Sequence, residues 1–152
     1  KLDEAEYDAI VLAEAGLSQH GLEERVADRL GPPQMLPAPG QGALGLECRE
    51  SDAKLIELLA NLDDEPSRAA VSAERSMLAL LHAGCSAPVG AWGRIENGQL
   101  RLDGLVASLD GKSVFQARGE SEPSGAEKLG QQVAEMLLDQ GAAEIIAAAK
   151  NA

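Results

Sequence analysis

The sequence predicts pieces of an α/β layer followed by a small α+β domain, in which helices cover a three-stranded antiparallel sheet. Three consecutive strand-like segments between residues 89 and 119, with amphipathic helical segments on both sides, predict the second part. The first part is indicated by the apolar run DAIVLA, residues 8–13, which is typical of a parallel strand covered on both faces. Because no partner strand lies nearby in the sequence, we expect the chain to be the C-terminal part of a longer protein.

Composition and charge narrow the class of protein. With 152 residues, of which 45% are apolar and 25% charged, the chain is long enough for one ordinary domain or two small ones. The net charge of −12 argues against non-specific binding to nucleic acid or to anionic membranes. No apolar run suits a transmembrane helix, and no signal peptide is visible. Two cysteines are too few for a disulfide framework and favour free thiols in a reducing cytoplasm.

Helix, crossing and strand signals alternate over the first 64 residues. Residues 15–30 carry apolar side chains at roughly helical spacing, although Gly21 leaves room for two short helices. Residues 31–43, GPPQMLPAPGQGA, predict a structured crossing between two parts of the fold, because proline is excluded from a central strand. Residues 43–49 alternate like a strand, and an amphipathic helix follows with Ser51 as its N-cap.

The remaining residues begin and end with helices. The segment LDDEP, residues 62–66, indicates a domain boundary at the start of a helix, and Gly84 is the predicted C′ residue that ends it. A capping box of Ser124 and Glu127 begins the next helix, which Gly141 interrupts before a final helical run.

Three strands are predicted between these helices, over residues 89–96, 99–108 and 112–119. The dipeptides Asn97-Gly98 and Asp110-Gly111 join them, and both favour the positive φ values of type I′ turns. We therefore expect a three-stranded antiparallel meander.

Cys85 is the main candidate for a functional side chain. It lies in the small-residue segment GCSAP between helix and strand, and a thiolate is a strong nucleophile near neutral pH. A small buried residue at such a junction explains the same pattern, so both interpretations stay open. His82 lies near enough to pair with the thiol, although capping the helix is the favoured interpretation. Cys48 is expected to pack in the core, and His82, Cys48 and Cys85 show no recognised zinc-site spacing.

The crossing segment PAPGQGA, residues 37–43, is the second candidate. Glycines around Gln41 allow the backbone to approach a ligand closely, whereas a rigid crossover alone also explains the prolines and glycines. The segment lacks the motifs of phosphate-binding loops. No pair of acidic residues stands out as a general acid and base.

Three segments resemble the porphobilinogen deaminase, or hydroxymethylbilane synthase, family in order and spacing: KLDEAEYDAIVLAEAGL, LPAPGQGALGLECR and GCSAPVGA. The resemblance implies three domains, of which two are similar to the lobes of periplasmic binding proteins. On that template, residues 1–36 end the second domain, and residues 37–64 cross back and complete the first. Residues 65–152 form the third domain, which carries the cofactor cysteine.

The resemblance also implies a chemistry. The family condenses four porphobilinogen molecules into hydroxymethylbilane, with loss of ammonia at each step, on a dipyrromethane cofactor held by a thioether. Cys85 matches the attachment cysteine, and Gly84, Gln41, Gly42 and Ala43 match residues around the cofactor. Gln19 stands where the family usually has an arginine that binds a substrate carboxylate, with His20 beside it.

The family's catalytic aspartate and most of its anion-binding arginines belong to an N-terminal half that this sequence does not contain. We therefore expect no catalytic residue and no metal site within this chain, and no turnover by the chain alone. The resemblance implies a cytoplasmic, monomeric transferase with porphobilinogen as substrate and no nucleic-acid or membrane partner. Two alternatives are a non-catalytic α+β binding or regulatory module and an unrelated enzyme that uses the thiol of Cys85.

Overall fold

The structure is a computed structural model that describes residues 1–84 and 87–150. Cys85, Ser86 and the last two residues lie outside the described residues. The chain divides into two compact units, Lys1–Leu30 and Gly31–Ala152, and each is described by itself. In the described ranges, no helix is both long and apolar enough to cross a membrane.

The first unit contains helix α1, Glu14–Gln19, and a 3-10 turn, Glu23–Arg25. Gly21 lies between them with a φ of +65°, in the left-handed region that commonly follows a helix end. Two short helical segments are therefore confirmed for residues 15–30. An ion pair between Arg29 and Glu14, 2.5 Å apart, links the end of this unit to the start of α1.

The two strands predicted for the first 64 residues are not formed. Residues 9–13 and 43–49 have no strand pairing, and their apolar side chains are exposed, with Val11 at 68% and Leu44 at 97%. A strand needs a hydrogen-bonded neighbour, and neither segment has one among the described residues. The α/β layer predicted from the sequence is therefore not present in the described structure.

The first two helices of the second unit are both capped by aspartate. Helix α2 spans Ala53–Ala60, and its N-cap is Asp52 rather than Ser51, with the Asp52 carboxylate accepting from the Leu55 N–H at 3.2 Å. Helix α3 spans Glu65–Leu80 and begins within the predicted boundary segment LDDEP, residues 62–66. Its N-cap is Asp64, which accepts from the Ser67 N–H at 3.0 Å.

The predicted meander is confirmed as a sheet of strands β1, Val89–Glu96, β2, Gln99–Ala107, and β3, Val114–Ser121. The strands are antiparallel and lie in chain order. Asn97 and Gly98 have φ values of +53° and +78°, as a type I′ turn requires.

Of three finer predictions about this unit, two are wrong and one is confirmed. The second turn is not a two-residue type I′ turn, because only Gly111 has a positive φ and the connection runs from residue 108 to 113. Ser124 does not cap a helix, because it lies in a 3-10 turn, Pro123–Gly125, ahead of helix α4, Ala126–Asp139. The break at Gly141, whose φ is +105°, is confirmed, and helix α5 follows over Ala142–Lys150.

Helices α3 and α4 pack on one face of the sheet and enclose an aliphatic core. Its largest fully buried side chains are Met77, Leu100, Leu102, Leu129, Leu137, Val106 and Val133. The two helices meet closely at Gly130, where an added Cβ would lie 2.2 Å from the Ala73 carbonyl oxygen. The other face of the sheet carries charged side chains instead.

Asp103 is the centre of that charged face. Its carboxylate accepts from Arg94 at 2.5 Å and from Arg118 at 2.6 Å, and the Arg94 guanidinium lies 3.7 Å from the centre of the Trp92 ring. Burial opposes ionisation of Asp103, but the hydrogen bonds from Arg118 and Arg94 outweigh it and hold the pKa of this carboxyl below its ordinary value of 3.8.

Replacing Gly130 tests the helix contact. We expect Gly130→Ala to lower the free energy of unfolding by about 3 kcal/mol, since the new methyl group meets backbone that cannot move aside cheaply. Urea unfolding of the chain measures this. Gly16→Ala in α1 is the control, because nothing lies within 4 Å of an added Cβ there. Equal stability of Gly130→Ala and the parent chain would contradict the packing.

Replacing Asp103 tests the charged face. We expect Asp103→Asn to lower the free energy of unfolding by about 1–3 kcal/mol at neutral pH, since it removes two charge-assisted hydrogen bonds. The lowered pKa makes this stabilisation complete above the ordinary value of 3.8, and it is lost as the pH falls through the folded-state pKa. The two unfolding curves should therefore converge in acid. Asp8→Asn, at an exposed aspartate, is the control and should match the parent in free energy of unfolding at neutral pH.

Candidate functional site

The segment that carries Cys85 connects α3 to β1, and we call residues 81–88 the thiol loop. Cys85 itself lies outside the described residues, but the two ends of the loop are described. Leu81 and Val89 are both buried, with exposed fractions of 4% and 9%. The Pro88 carbonyl accepts from the Ala107 N–H at 3.1 Å, next to the first β1–β2 pair. The thiol loop is therefore anchored in the core at both ends.

Helix α3 ends earlier than the sequence predicts. His82, not Gly84, takes the left-handed C′ conformation, with a φ of +48°. The Ala83 N–H then reaches back to the Leu78 carbonyl at 3.3 Å, as in a Schellman motif. The C-cap residue of α3, Leu81, is buried in the core. The Lys150 ammonium donates to the His82 carbonyl at 2.8 Å, which ties α5 to the thiol loop.

The crossing segment lies along the outer edge of β1. The Pro37 carbonyl accepts from the Ala91 N–H at 2.8 Å, and an added Cβ on Gly90 would lie 3.0 Å from the Leu36 Cβ. Two successive turns follow, closed by hydrogen bonds from the Gln41 N–H to the Ala38 carbonyl and from the Ala43 N–H to the Gly40 carbonyl. Positive φ values of +76° and +84° at Gly40 and Gly42 make glycine necessary there. We call residues 40–43 the contact turn.

Glu74 joins the contact turn to the rest of the unit. One carboxylate oxygen accepts from the Gly40 N–H and the other from the Gly93 N–H, each at 2.6 Å. Glu74 is only 7% exposed, and burial raises the pKa of its carboxyl, while the hydrogen bonds from Gly93 and Gly40 act in the opposite direction. Glu74 is not among the site residues predicted from the sequence. Its one sign was an acidic side chain on the apolar stripe of α3, between Ala70 and Met77.

The described site residues lie on three segments of the chain. Gln41, Gly42 and Ala43 are exposed on the contact turn, and Gly84 is exposed in the thiol loop with nothing within 4 Å of an added Cβ. Gln19 is the last residue of α1 and is exposed, with His20 at the C-cap, in the first unit.

Cys48 is a free, half-buried thiol in an unpaired segment, so its prediction as a core residue of a strand is wrong. The reason is the missing strand pairing described above. Over residues 1–84 and 87–150, no group of three His, Cys, Asp or Glu side chains lies close enough together to hold a metal ion.

Two family models match the chain in order. Residues 1–57 match the model described as "Porphobilinogen deaminase, dipyromethane cofactor binding domain", which includes Gln19 and the contact turn. Residues 68–139 match "Porphobilinogen deaminase, C-terminal domain", which includes Glu74 and position 85. The cofactor of the matched family is therefore dipyrromethane, as the sequence resemblance implies.

Curated relatives agree with the family models. The porphobilinogen deaminase of Desulforudis audaxviator (strain MP104C) is 50% identical over 147 residues, 97% of this chain and 48% of the relative. That of Xylella fastidiosa (strain M23) is 50% identical over 148 residues, and that of Stenotrophomonas maltophilia (strain R551-3) is 52% identical over 146. The chain spans about half the length of these relatives. The two models and these identities confirm the predicted family: the chain belongs to the porphobilinogen deaminase family.

Proposed function

We propose that the intact protein is a transferase of tetrapyrrole biosynthesis that joins four porphobilinogen molecules into hydroxymethylbilane, on a dipyrromethane held by Cys85. The observation that carries the proposal is the arrangement of the second unit. An exposed contact turn lies on the edge of β1, and the thiol loop enters the same strand. Both have space beside them, since an added Cβ at Gly42 or Gly84 would meet nothing within 4 Å.

The residues of this chain suit a covalently tethered pyrrole. A thiol is the side chain that forms a stable carbon–sulfur bond, and displacement of ammonia from an aminomethyl carbon by the Cys85 sulfur gives a thioether. When bound, the dipyrromethane supplies the pyrrole to which substrate units are added. Gln41, Gly42 and Ala43 offer exposed backbone for contact with such a chain, and Gly84 leaves room beside the sulfur.

Recognition of the substrate carboxylates needs cations from outside this chain. Acetate and propionate groups are bound best by arginine. Each arginine except Arg75 already forms an ion pair with an acidic side chain in the described part of the chain. Gln19, in the position of the usual arginine, has no charge to offer. We propose that the remaining half of the protein provides the catalytic aspartate and most of the carboxylate-binding arginines.

The proposed domain organisation explains the uncovered apolar residues. In it, residues 1–36 end a second domain, residues 37–64 cross to and complete a first, and residues 65–152 form the third. Lobes similar to periplasmic binding proteins would cover the exposed side chains of the first two segments: Ile10, Val11, Leu12, Leu44, Leu46, Leu58 and Leu62. Burial of that much apolar surface is a strong driving force for association with an N-terminal half.

We also propose a cytoplasmic monomer that acts without a nucleic-acid or membrane partner. The free thiol of Cys48 suits a reducing compartment, and the net charge of −12 disfavours binding to polyanions.

The intact mass of the full-length protein tests the tether. We expect the mass of the polypeptide plus two pyrrole units, and the bare polypeptide mass for Cys85→Ser, because the hydroxyl is a far weaker nucleophile than the thiol. Cys48→Ser is the matched control and should keep both pyrroles. If Cys85→Ser retained the added mass, the attachment at Cys85 would be wrong.

Complementation tests the division of the protein. We expect the 152-residue chain alone to form no hydroxymethylbilane from porphobilinogen, since its described residues provide few free cations for the carboxylates. Mixing it with a separately expressed N-terminal half should restore product, measured as uroporphyrin fluorescence after oxidation. Each half alone is the control. Formation of hydroxymethylbilane by this chain alone would contradict the proposal that the other half is needed.

A further inference from the structure

We propose that Glu74 is a positioning residue, whose carboxylate holds the contact turn at a fixed place relative to both ends of the thiol loop. The inference rests on the proposed function, since it needs a pyrrole chain tethered at Cys85 and in contact with Gln41, Gly42 and Ala43. Glu74 does not touch that chain in this proposal. It acts through the backbone amides of Gly40 and Gly93.

Glu74 connects the two elements on either side of the thiol loop. Glu74 belongs to α3, which runs directly into the thiol loop, and Gly93 belongs to β1, which leaves it. A single carboxylate therefore spans the two elements that bracket Cys85. Its other oxygen binds the Gly40 N–H, next to Gln41. One side chain therefore contacts the contact turn and both elements that bracket Cys85.

The two residues that donate to Glu74 are glycines for different reasons. An added Cβ on Gly93 would lie 2.8 Å from the Ala70 carbonyl oxygen, so glycine lets β1 approach α3 closely enough for Glu74 to reach it. Gly40 has a φ of +76° and open space around it, so its need for glycine is conformational. Gly93 is therefore required for close packing and Gly40 for its backbone conformation, and each donates its N–H to Glu74.

Burial of the Glu74 carboxylate has a free-energy cost. Burying a carboxylate is unfavourable unless hydrogen bonds compensate, and an apolar side chain on the stripe of α3 would fill the same space without that cost. The edge of β1 is also closed at Ala91 by the Pro37 carbonyl, independently of Glu74. The carboxylate in addition accepts a hydrogen bond from the contact turn, which an apolar side chain cannot do.

The test uses the full-length protein and two matched pairs of variants. Glu74→Gln keeps the shape but offers only one acceptor oxygen, and Glu135→Gln changes an exposed glutamate on α4. Gly40→Ala strains the contact turn without adding a clash, and Gly111→Ala imposes the same strain at a φ of +70° in the distant β2–β3 turn. The readouts are hydrogen exchange at the amides of positions 40 and 93, intact mass, thermal unfolding, and kcat and KM for porphobilinogen.

We expect Glu74→Gln to speed exchange at the amide of Gly40 or of Gly93, because one acceptor oxygen cannot bind both N–H groups. We expect Gly40→Ala to speed exchange at the amide of position 40. In folded protein, we also expect both variants to lower either pyrrole loading or kcat by about 10- to 100-fold, because catalysis is sensitive to small misplacements. The two controls should stay within about twofold of the parent, as surface changes usually do. Gly40→Ala changes no core contact, so it still tests the positioning role if Glu74→Gln does not fold.

The proposal is overturned if the amides of Gly40 and Gly93 both stay protected in Glu74→Gln. It is also overturned if folded variants at Glu74 or Gly40 match the parent in both pyrrole loading and kcat, or if Gly111→Ala lowers kcat as much as Gly40→Ala. Failure of the proposed function looks different: the parent protein would itself carry no pyrrole and form no hydroxymethylbilane.

Discussion

Close backbone approach around helix α3 is the constraint on which the second unit depends. On one side, Gly130 of α4 meets the Ala73 carbonyl, and on the other, Gly93 of β1 meets the Ala70 carbonyl. Because no side chains separate these backbones, α3 is held between α4 and the sheet. At that separation the Glu74 carboxylate reaches the Gly93 amide, and its second oxygen remains available for the crossing segment.

The elements that depend on neighbours in the sequence could be predicted, and those that depend on distant partners could not. The Asn97-Gly98 turn follows from the conformational freedom of two residues, and the structure confirms it together with the meander. The apolar runs at residues 9–13 and 43–49 have the pattern of strands, but a pattern supplies no ladder partner. The left-handed C′ residue of α3 is His82 rather than Gly84, although glycine is the locally preferred residue there, and the preceding Leu81 is buried in the core.

The same distinction applies to the candidate site. Glycine and proline in PAPGQGA mark the contact turn in the sequence, and its turns bear this out. Nothing in the spacing of the sequence joins Glu74 to Gly40, because their contact exists only once the crossing segment lies on the edge of β1. A buried acid on an apolar helix stripe is nonetheless a readable signal, since such a residue must find donors somewhere in the fold.

A chain that grows while tethered at one end sets two opposing demands on its protein. The tether must stay fixed relative to the surfaces that hold the chain, yet space must remain for each added unit. In the proposed function, rigidity comes from Leu81 and Val89 in the core and from Glu74 between α3, β1 and the contact turn. Space comes from glycine at positions 42 and 84, where no atom lies near an added Cβ. Charged recognition is then left largely to arginines outside this unit, because five of its six arginines already pair with acidic side chains in the described residues.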